Sequence, residues 1–229
     1  NQKNIIKRKN FKALVTTGPT REYIDPIRYI SNESSGKQGY EIAIALNRLG
    51  IKTTVISGPS NQIYQNDIKT KKVVSADEML SEVKKTLPVD VAVCTAAVAD
   101  LKPVKKSKKK LKKNDINLKS LELTKNEDIV EYLGKNNKHR PRLVVAFSAE
   151  TENLNRNSIS KMKNKNCDLI IANNVSRKDF GFNSDYNQVS IIDNKGKIKL
   201  IKKSKKSFIA NKIAEVILDK LLFNGKNFN

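Results

Sequence analysis

Between Gly18 and Gly39 the chain reads GPTREYIDPIRYISNESSGKQG, and the last eight of these residues, Asn32-Glu33-Ser34-Ser35-Gly36-Lys37-Gln38-Gly39, are of the types that bind an oxyanion. Two hydroxyls, two glycines and a lysine stand where a helix would begin, and backbone N–H groups at a helix start have no partner inside the helix. The anion such a site takes is most often phosphate. The same residues would also serve as a plain capped helix start, since Ser is a preferred cap. Two named phosphate motifs are absent. Gly36-Lys37 is followed by Gln38 and has Ser31 where a Walker A loop has its first glycine, and no G-x-G-x-x-G occurs at this turn. His139 is the single histidine, which removes His-based triads and multi-histidine metal sites. Cys94 and Cys167 lie in apolar runs without ligand-spaced partners and read as small buried hydrophobes rather than as a disulfide or metal pair. Chemistry here must run on Lys, Asn, Asp, Arg and backbone groups.

The anion site needs a scaffold, and the order of apolar runs supplies one. Lys12 to Thr17 reads as a strand, Ser35 to Leu49 as a helix stopped by Gly50, Ile51 to Ser57 as a strand, Lys71 to Val74 as a short strand, and Ala76 to Leu87 as a helix ended by Pro88. Val89 to Thr95 is nearly continuously apolar, as a central parallel strand should be. Further strands are expected at Asn117 to Leu123, Leu143 to Phe147 and Asp168 to Ala172, with helices at Asn126 to Gly134 and Asn153 to Asn164. Gln188 to Asp193 and Lys197 to Ile201 flank the turn Asn194-Lys195-Gly196 as a hairpin, and Ser204 to Leu222 closes the chain as an amphipathic helix. This alternation predicts one α/β domain over residues 1–229: a doubly wound, mostly parallel, Rossmann-like sheet with a C-terminal hairpin and closing helix. Four loops, Gly18 to Gly36, Ala96 to Asp100, Phe147 to Thr151 and Ala172 to Ser176, then leave the carboxyl ends of strands and converge on one crevice, where open α/β sheets bind ligands. With its lysines and its phosphate-type helix start, that crevice suits a nucleotide.

A formal charge of +22, from 45 Lys and Arg against 23 Asp and Glu, raises a polyanion or nucleic acid as partner. The excess is mostly Lys, is spread along the chain and accompanies abundant Asn and Ile, the pattern that A/T-rich codons produce. Aromatic-interleaved basic patches are absent, so nucleic acid ranks low, although the lysine-dense run from Lys102 to Lys113 keeps a polyanion-binding module as the alternative. A nicotinamide-dependent reductase ranks third for want of its glycine fingerprint. No apolar run approaches the roughly 20 residues of a membrane span, and no secretory signal opens the sequence, so a cytoplasmic protein is expected. The chain begins with Asn rather than Met, which suggests a piece of a longer polypeptide.

The ordered set Gly18-Pro19-Thr20-Arg21-Glu22, Ile24-Asp25-Pro26, Arg28-Tyr29-Ile30-Ser31-Asn32, Ser34-Ser35-Gly36-Lys37, Ala96-Ala97-Val98-Ala99-Asp100, Lys110-Leu111-Lys112-Lys113, Phe147 with Ala149-Glu150-Thr151, and Asp168-Leu169-Ile170 covers nearly the whole chain. It closely resembles the phosphopantothenoylcysteine synthetase domains of bacterial bifunctional coenzyme A biosynthesis proteins. The resemblance implies a ligase that joins the carboxylate of 4′-phosphopantothenate to the amine of cysteine. CTP, the co-substrate with Mg²⁺, is cleaved to CMP and pyrophosphate through an acyl-cytidylate. It also implies a homodimer, and FMN only where a flavin-dependent decarboxylase domain precedes the ligase; it leaves any metal ligands unknown.

By matching position, the resemblance gives Lys110 contact with the nucleotide and stabilisation of the charge that develops as the acyl-cytidylate forms. Asn32 would hold the acyl carbonyl while the amine attacks, and Arg28 would pair with an anionic substrate group. The nucleotide would meet Ala96 and Asp100, the helix start Glu127, Asp128, Ile129 and Val130, then Phe147, and Lys161 with Lys165. Ser34, Ser35 and Gly36 would serve the phosphate end, of the nucleotide or of the acid. Two departures stand out: Glu127 occupies a position that is commonly proline in the family, and Asn174 one that is commonly aspartate, in a loop thought to close over the substrate.

Overall fold

A run of Val, Ile, Leu and Ala with polar residues only at its ends calls for a strand covered on both faces, and the computed structural model, which describes residues 10–112, 120–135, 138–150, 154–174 and 184–223, places these runs in one sheet. β1 (Lys12–Thr17), β4 (Lys52–Ser57), β5 (Lys69–Lys72), β6 (Val91–Cys94), β9 (Leu143–Glu150) and β10 (Leu169–Asn174) are mutually parallel, and β11 (Tyr186–Asp193) and β12 (Ile198–Lys205) add an antiparallel hairpin at one edge. The order is β12-β11-β10-β9-β6-β1-β4-β5. Alternate residues of each strand face opposite layers. Ala13 and Val15 pack with α1 (Lys37–Arg48) and α5 (Lys206–Phe223), whereas Leu14 and Ile56 pack with α2 (Ala76–Thr86), α3 (Ile129–Lys135) and α4 (Leu154–Lys165). Ile42 and Leu46 of α1 are fully buried, and each stabilises the fold by about 1.5–3 kcal/mol. The expected doubly wound sheet, hairpin and closing helix are all present.

β1 lies between β4 and β6, so the chain leaves it toward one edge through α1 and later returns to build the other half from β6 onward. The crevice between the carboxyl ends of β1 and β6 is therefore the switch point of the sheet. A further bridge, Pro19 to Ala97, extends the two strands past their ends.

Several bounds differ from those expected. α1 starts at Lys37 rather than Ser35 because Gly36, at φ +72°, takes a left-handed conformation that breaks the helical repeat. β5 lies two residues earlier than expected, at Lys69–Lys72, because an edge strand needs only its pairing to β4, from Thr54 opposite Lys69 to Ser57 opposite Lys72. The long loop after β1 contains a hairpin, β2 (Arg21–Tyr23) with β3 (Tyr29–Ser31), and a second short ribbon pairs β7 (Leu101–Pro103) with β8 (Leu123–Lys125). The strand expected at Asn117 to Leu123 thus starts at Leu123, residues 113–119 falling outside the described residues. So do Thr151 and the pair Val175-Ser176 of the expected crevice loops. Among the described residues no helix is long and apolar enough to cross a membrane. Cys94 and Cys167 are buried, and burial above all pushes each thiol up to about 12.

Candidate active site

At the switch point the strand ends are threonines, and they seat the start of α1. The Thr17 hydroxyl donates to the Gly36 carbonyl at 2.9 Å, and the Thr95 hydroxyl donates to the Thr16 carbonyl at 2.7 Å. Gly39 lets the helix come this close: a Cβ on it would stand 2.3 Å from both threonine Oγ1 atoms. Gly39→Ala is expected to lift the first turn of α1 and destabilise the fold by about 1–3 kcal/mol, read as a lower urea midpoint at unchanged slope. The first intrahelical bond runs from the Tyr40 N–H to the Gly36 carbonyl at 3.0 Å. Gly36 offers no side-chain cap. The Ser34 hydroxyl accepts from the Gly36 N–H at 3.3 Å and that of Ser35 from the Lys37 N–H at 3.5 Å, both long contacts. The helix start is thus weakly capped, and its positive end faces open space.

That space is a cavity of about 400 Å³ bounded by Asn32 to Gly39, the strand ends Thr17, Thr95 and Ala96, Phe147 within β9, which runs on to Glu150 past its expected end, Asn173 of β10, and, from the C-terminal part of the chain, Asn187 and Lys206. Asn32 stands at its rim with its amide donating to the Val98 carbonyl at 2.9 Å. Lys37 is ion-paired with Asp185, whose carboxyl that ammonium holds below the ordinary aspartate range. Lys206, the first residue of α5, is 4% exposed; burial, and then the neighbouring Lys37, push its ammonium down to about 8 against the opposing pull of Asp185.

A second cavity, of about 610 Å³, adjoins the first and shares Ala96 and Phe147 with it. Its walls include Asp100, Asn126, Glu127, Asp128, Ile129, Val130 and Lys165. Asp128 caps α3 by accepting from the Glu131 N–H at 2.9 Å, and its other oxygen pairs with Lys165 at 2.6 Å. Glu127 precedes this cap, so the change from the family's proline leaves the first helical position untouched. Sequence reasoning passed over Asn126. Its amide donates to the Ala99 carbonyl at 2.8 Å, and its own side-chain oxygen is buried without a hydrogen-bond partner among the described residues. Its place two residues before the Asp128 cap is the signal in the sequence.

Asn32, Ser34, Ser35, Gly36, Ala96 and Phe147 are thus brought to the first cavity, and Asp100, Glu127 to Val130 and Lys165 to the second. Lys161, exposed on α4, lines neither. Nor do Arg28 and Lys110, which sit together elsewhere. Asp25, fully buried, accepts from the Ile27, Arg28 and Leu111 N–H groups at 2.8, 2.8 and 3.2 Å and pairs with the Arg28 guanidinium at 3.0 Å. Burial pushes this carboxyl up, but the three N–H groups and Arg28 outweigh it and hold the group below the usual aspartate value. The Arg28 guanidinium also donates to the Leu111 carbonyl at 3.4 Å, so the exposed Lys110 is anchored through its neighbour to the β2–β3 turn.

Fold and site together define a doubly wound α/β protein with a two-chambered crevice suited to anions at the switch point of its sheet. The chain belongs to the DNA/pantothenate metabolism flavoprotein C-terminal domain family, whose model matches residues 8–221. It is 39% identical over 219 residues to the coenzyme A biosynthesis bifunctional protein CoaBC of Borreliella burgdorferi, covering 95% of this chain and 54% of that protein. The chain thus spans about half the length of the curated relatives it matches. Among solved structures, the C-terminal domain of a CoaBC protein superposes with a TM-score of 0.78 at 32% identity, covering 93% of this chain and 97% of that one. A Cab2 mutant in complex with phosphopantothenate-cysteine shares the fold, with a TM-score of 0.73 at 14% identity over 96% of this chain and 90% of its own.

Proposed function

We propose that this chain is a phosphopantothenate–cysteine ligase domain that works through an acyl-cytidylate, consuming CTP and releasing CMP and pyrophosphate, in coenzyme A biosynthesis. The observation that carries the reading is the pair of cavities meeting at Ala96 and Phe147 in a member of this family. One chamber can take the nucleoside and the other the anionic groups that must approach it. A carboxylate attacking an α-phosphorus brings two anions together, and preorganised cations and N–H groups lower that barrier. Lys165, the start of α3 and Asp100 then belong to the nucleotide, and the start of α1 with Asn32 to the reacting end. Mg²⁺ enters as part of the nucleotide substrate. Its ligands would then be phosphate oxygens and water.

Arg28 and Lys110 line neither cavity, and the ribbons beside them expose Ile27, Tyr29, Leu101 and Leu123. A homodimer would cover such residues and bring the Lys110 loop of one copy toward the crevice of the other. Light scattering is then expected to read twice the mass of one chain. The function itself is tested by incubating the chain with 4′-phosphopantothenate, cysteine, Mg²⁺ and either CTP or ATP, with mass spectrometry for 4′-phosphopantothenoylcysteine. Product with CTP is expected; no product with either nucleotide overturns the reading. Within it, Lys165→Met is expected to raise the KM for CTP about tenfold by removing a charge-assisted contact, while the KM for 4′-phosphopantothenate stays unchanged. A rise in the acid's KM instead would place Lys165 with the other substrate.

A further inference from the structure

Thr20 is fully buried and lines neither cavity, yet its polar groups are all spent around one contact, that of the Asn32 amide with the Val98 carbonyl. The Thr20 hydroxyl accepts from the Ala99 N–H at 3.0 Å. That N–H and the Val98 carbonyl belong to one peptide group, which is planar and holds the two on opposite edges. Fixing the N–H therefore fixes the direction in which the carbonyl meets Asn32. Ala99 is 2% exposed, so its N–H depends on a protein acceptor rather than on water. Around this plane the Thr20 N–H donates to the Ala97 carbonyl over a longer 3.4 Å. The Thr20 carbonyl accepts from the Ser31 hydroxyl at 2.7 Å, which holds the residue just before Asn32. Both partners of the Asn32 contact are thus set against the same residue.

The segment so gripped is the partition between the chambers. Ala97 lines the first cavity, Val98, Ala99 and Asp100 line the second, and Ala96 lines both. Asn126 holds the partition from the side of α3, its amide donating to the Ala99 carbonyl at 2.8 Å and its N–H to the Asp100 carbonyl at 2.9 Å. With Ala99 held at its N–H by Thr20 and at its carbonyl by Asn126, the peptide plane cannot turn without breaking a hydrogen bond.

We propose that Thr20 is a positioning residue for the step in which the amine attacks: its hydroxyl holds the plane of the Val98–Ala99 peptide, and the carbonyl of that plane aims the Asn32 carboxamide at the acyl oxygen. The inference rests on the ligase reading and on the role that reading gives Asn32. Donation by the Ala99 N–H also polarises the shared carbonyl, which strengthens its hold on the Asn32 amide. Thr20 itself is sealed from substrate, so it acts only through Asn32.

The test is quench-flow on the full chain with labelled CTP, Mg²⁺, 4′-phosphopantothenate and cysteine, which reads the pyrophosphate burst and the cysteine-dependent turnover separately. Thr20→Val keeps the shape of the side chain and removes the acceptor. It is expected to lower turnover by about tenfold to a hundredfold while the burst persists, and Thr20→Ser, which keeps the hydroxyl, should recover most of the loss. In an Asn32→Ala background the same Thr20→Val change should cost less than about twofold more, because the two residues act through one contact. A Thr20 that only supports the fold would slow burst and turnover equally with a lowered melting temperature, or add its full penalty to that of Asn32→Ala. Either result, or an unchanged turnover, overturns the proposal. Should Thr20→Val not fold, Thr20→Cys, whose sulfur is a weak acceptor, takes its place under the same criteria. An active parent chain keeps the ligase reading whatever Thr20 does, whereas a parent that forms no product removes both.

Discussion

Asn32→Ala is expected to release pyrophosphate from CTP about once per site and then stall, its steady-state turnover lowered by about 10²–10³. The carboxamide has two N–H groups, and one is committed to the Val98 carbonyl at 2.9 Å, which fixes the plane of the amide at the rim of the first cavity. The second N–H is then aimed rather than free to rotate, and an aimed donor contributes most where charge develops, on the acyl oxygen as the cysteine amine attacks. On the proposed role, activation of the acid by CTP would not use this donor, so the burst of pyrophosphate should survive. Quench-flow with labelled CTP reads both halves in one experiment. If turnover matched the parent chain, or the burst vanished with it, the role given to Asn32 would be wrong.

Asp25→Ala is expected to be the most damaging change outside the cavities. Asp25 is fully buried, and its carboxylate collects three N–H groups and a guanidinium. Removing it leaves Arg28 without its ion pair and three donors without their acceptor, and it leaves the β2–β3 turn tied to Leu111 only through the long Arg28 contact to its carbonyl. The lysine-dense loop is then held less firmly beside Lys110. The melting temperature should drop, and in the fraction that still folds the pyrophosphate-forming half should slow much more than binding of CTP weakens. Asp25→Asn separates the two effects: it keeps an oxygen for the N–H groups but loses the charge facing Arg28, so it should recover stability better than activity. Equal recovery of both would mean that Asp25 only supports the fold.

The scaffold was legible because buried parallel strands leave continuous apolar runs, as in Val91 to Cys94 and Leu143 to Phe147, and because Gly50 and Pro88 mark where helices stop. The two ribbons were not. Arg21–Tyr23, Tyr29–Ser31, Leu101–Pro103 and Leu123–Lys125 are three residues each, too short to show an alternation, and their pairing depends on the Asp25 turn and on contacts distant in sequence. The residues of the crevice, from Asn32 to Gly36 before α1, at Ala96 and Asp100 after β6, and Phe147 toward the carboxyl end of β9, could be placed because the chain order of an α/β sheet dictates which ends meet. Lys206 could not. It lies in the run Lys202-Lys203-Ser204-Lys205-Lys206, where composition offers nothing to set one lysine apart, and only packing of α5 against α1 buries it. Lys161 and Lys165 illustrate the converse: helical spacing puts them on one side of α4, but only Lys165 reaches the cavity, where Asp128 meets it.

If one crevice brings a nucleoside triphosphate and a phosphorylated acid together, pyrophosphate followed over time with CTP and Mg²⁺, adding first 4′-phosphopantothenate and then cysteine, should report each half-reaction in turn. No release is expected with CTP alone, a single burst when the acid is added, and sustained release with CMP formation once cysteine follows. Release that ignores the acid, or none under any of the three conditions, would contradict a shared crevice.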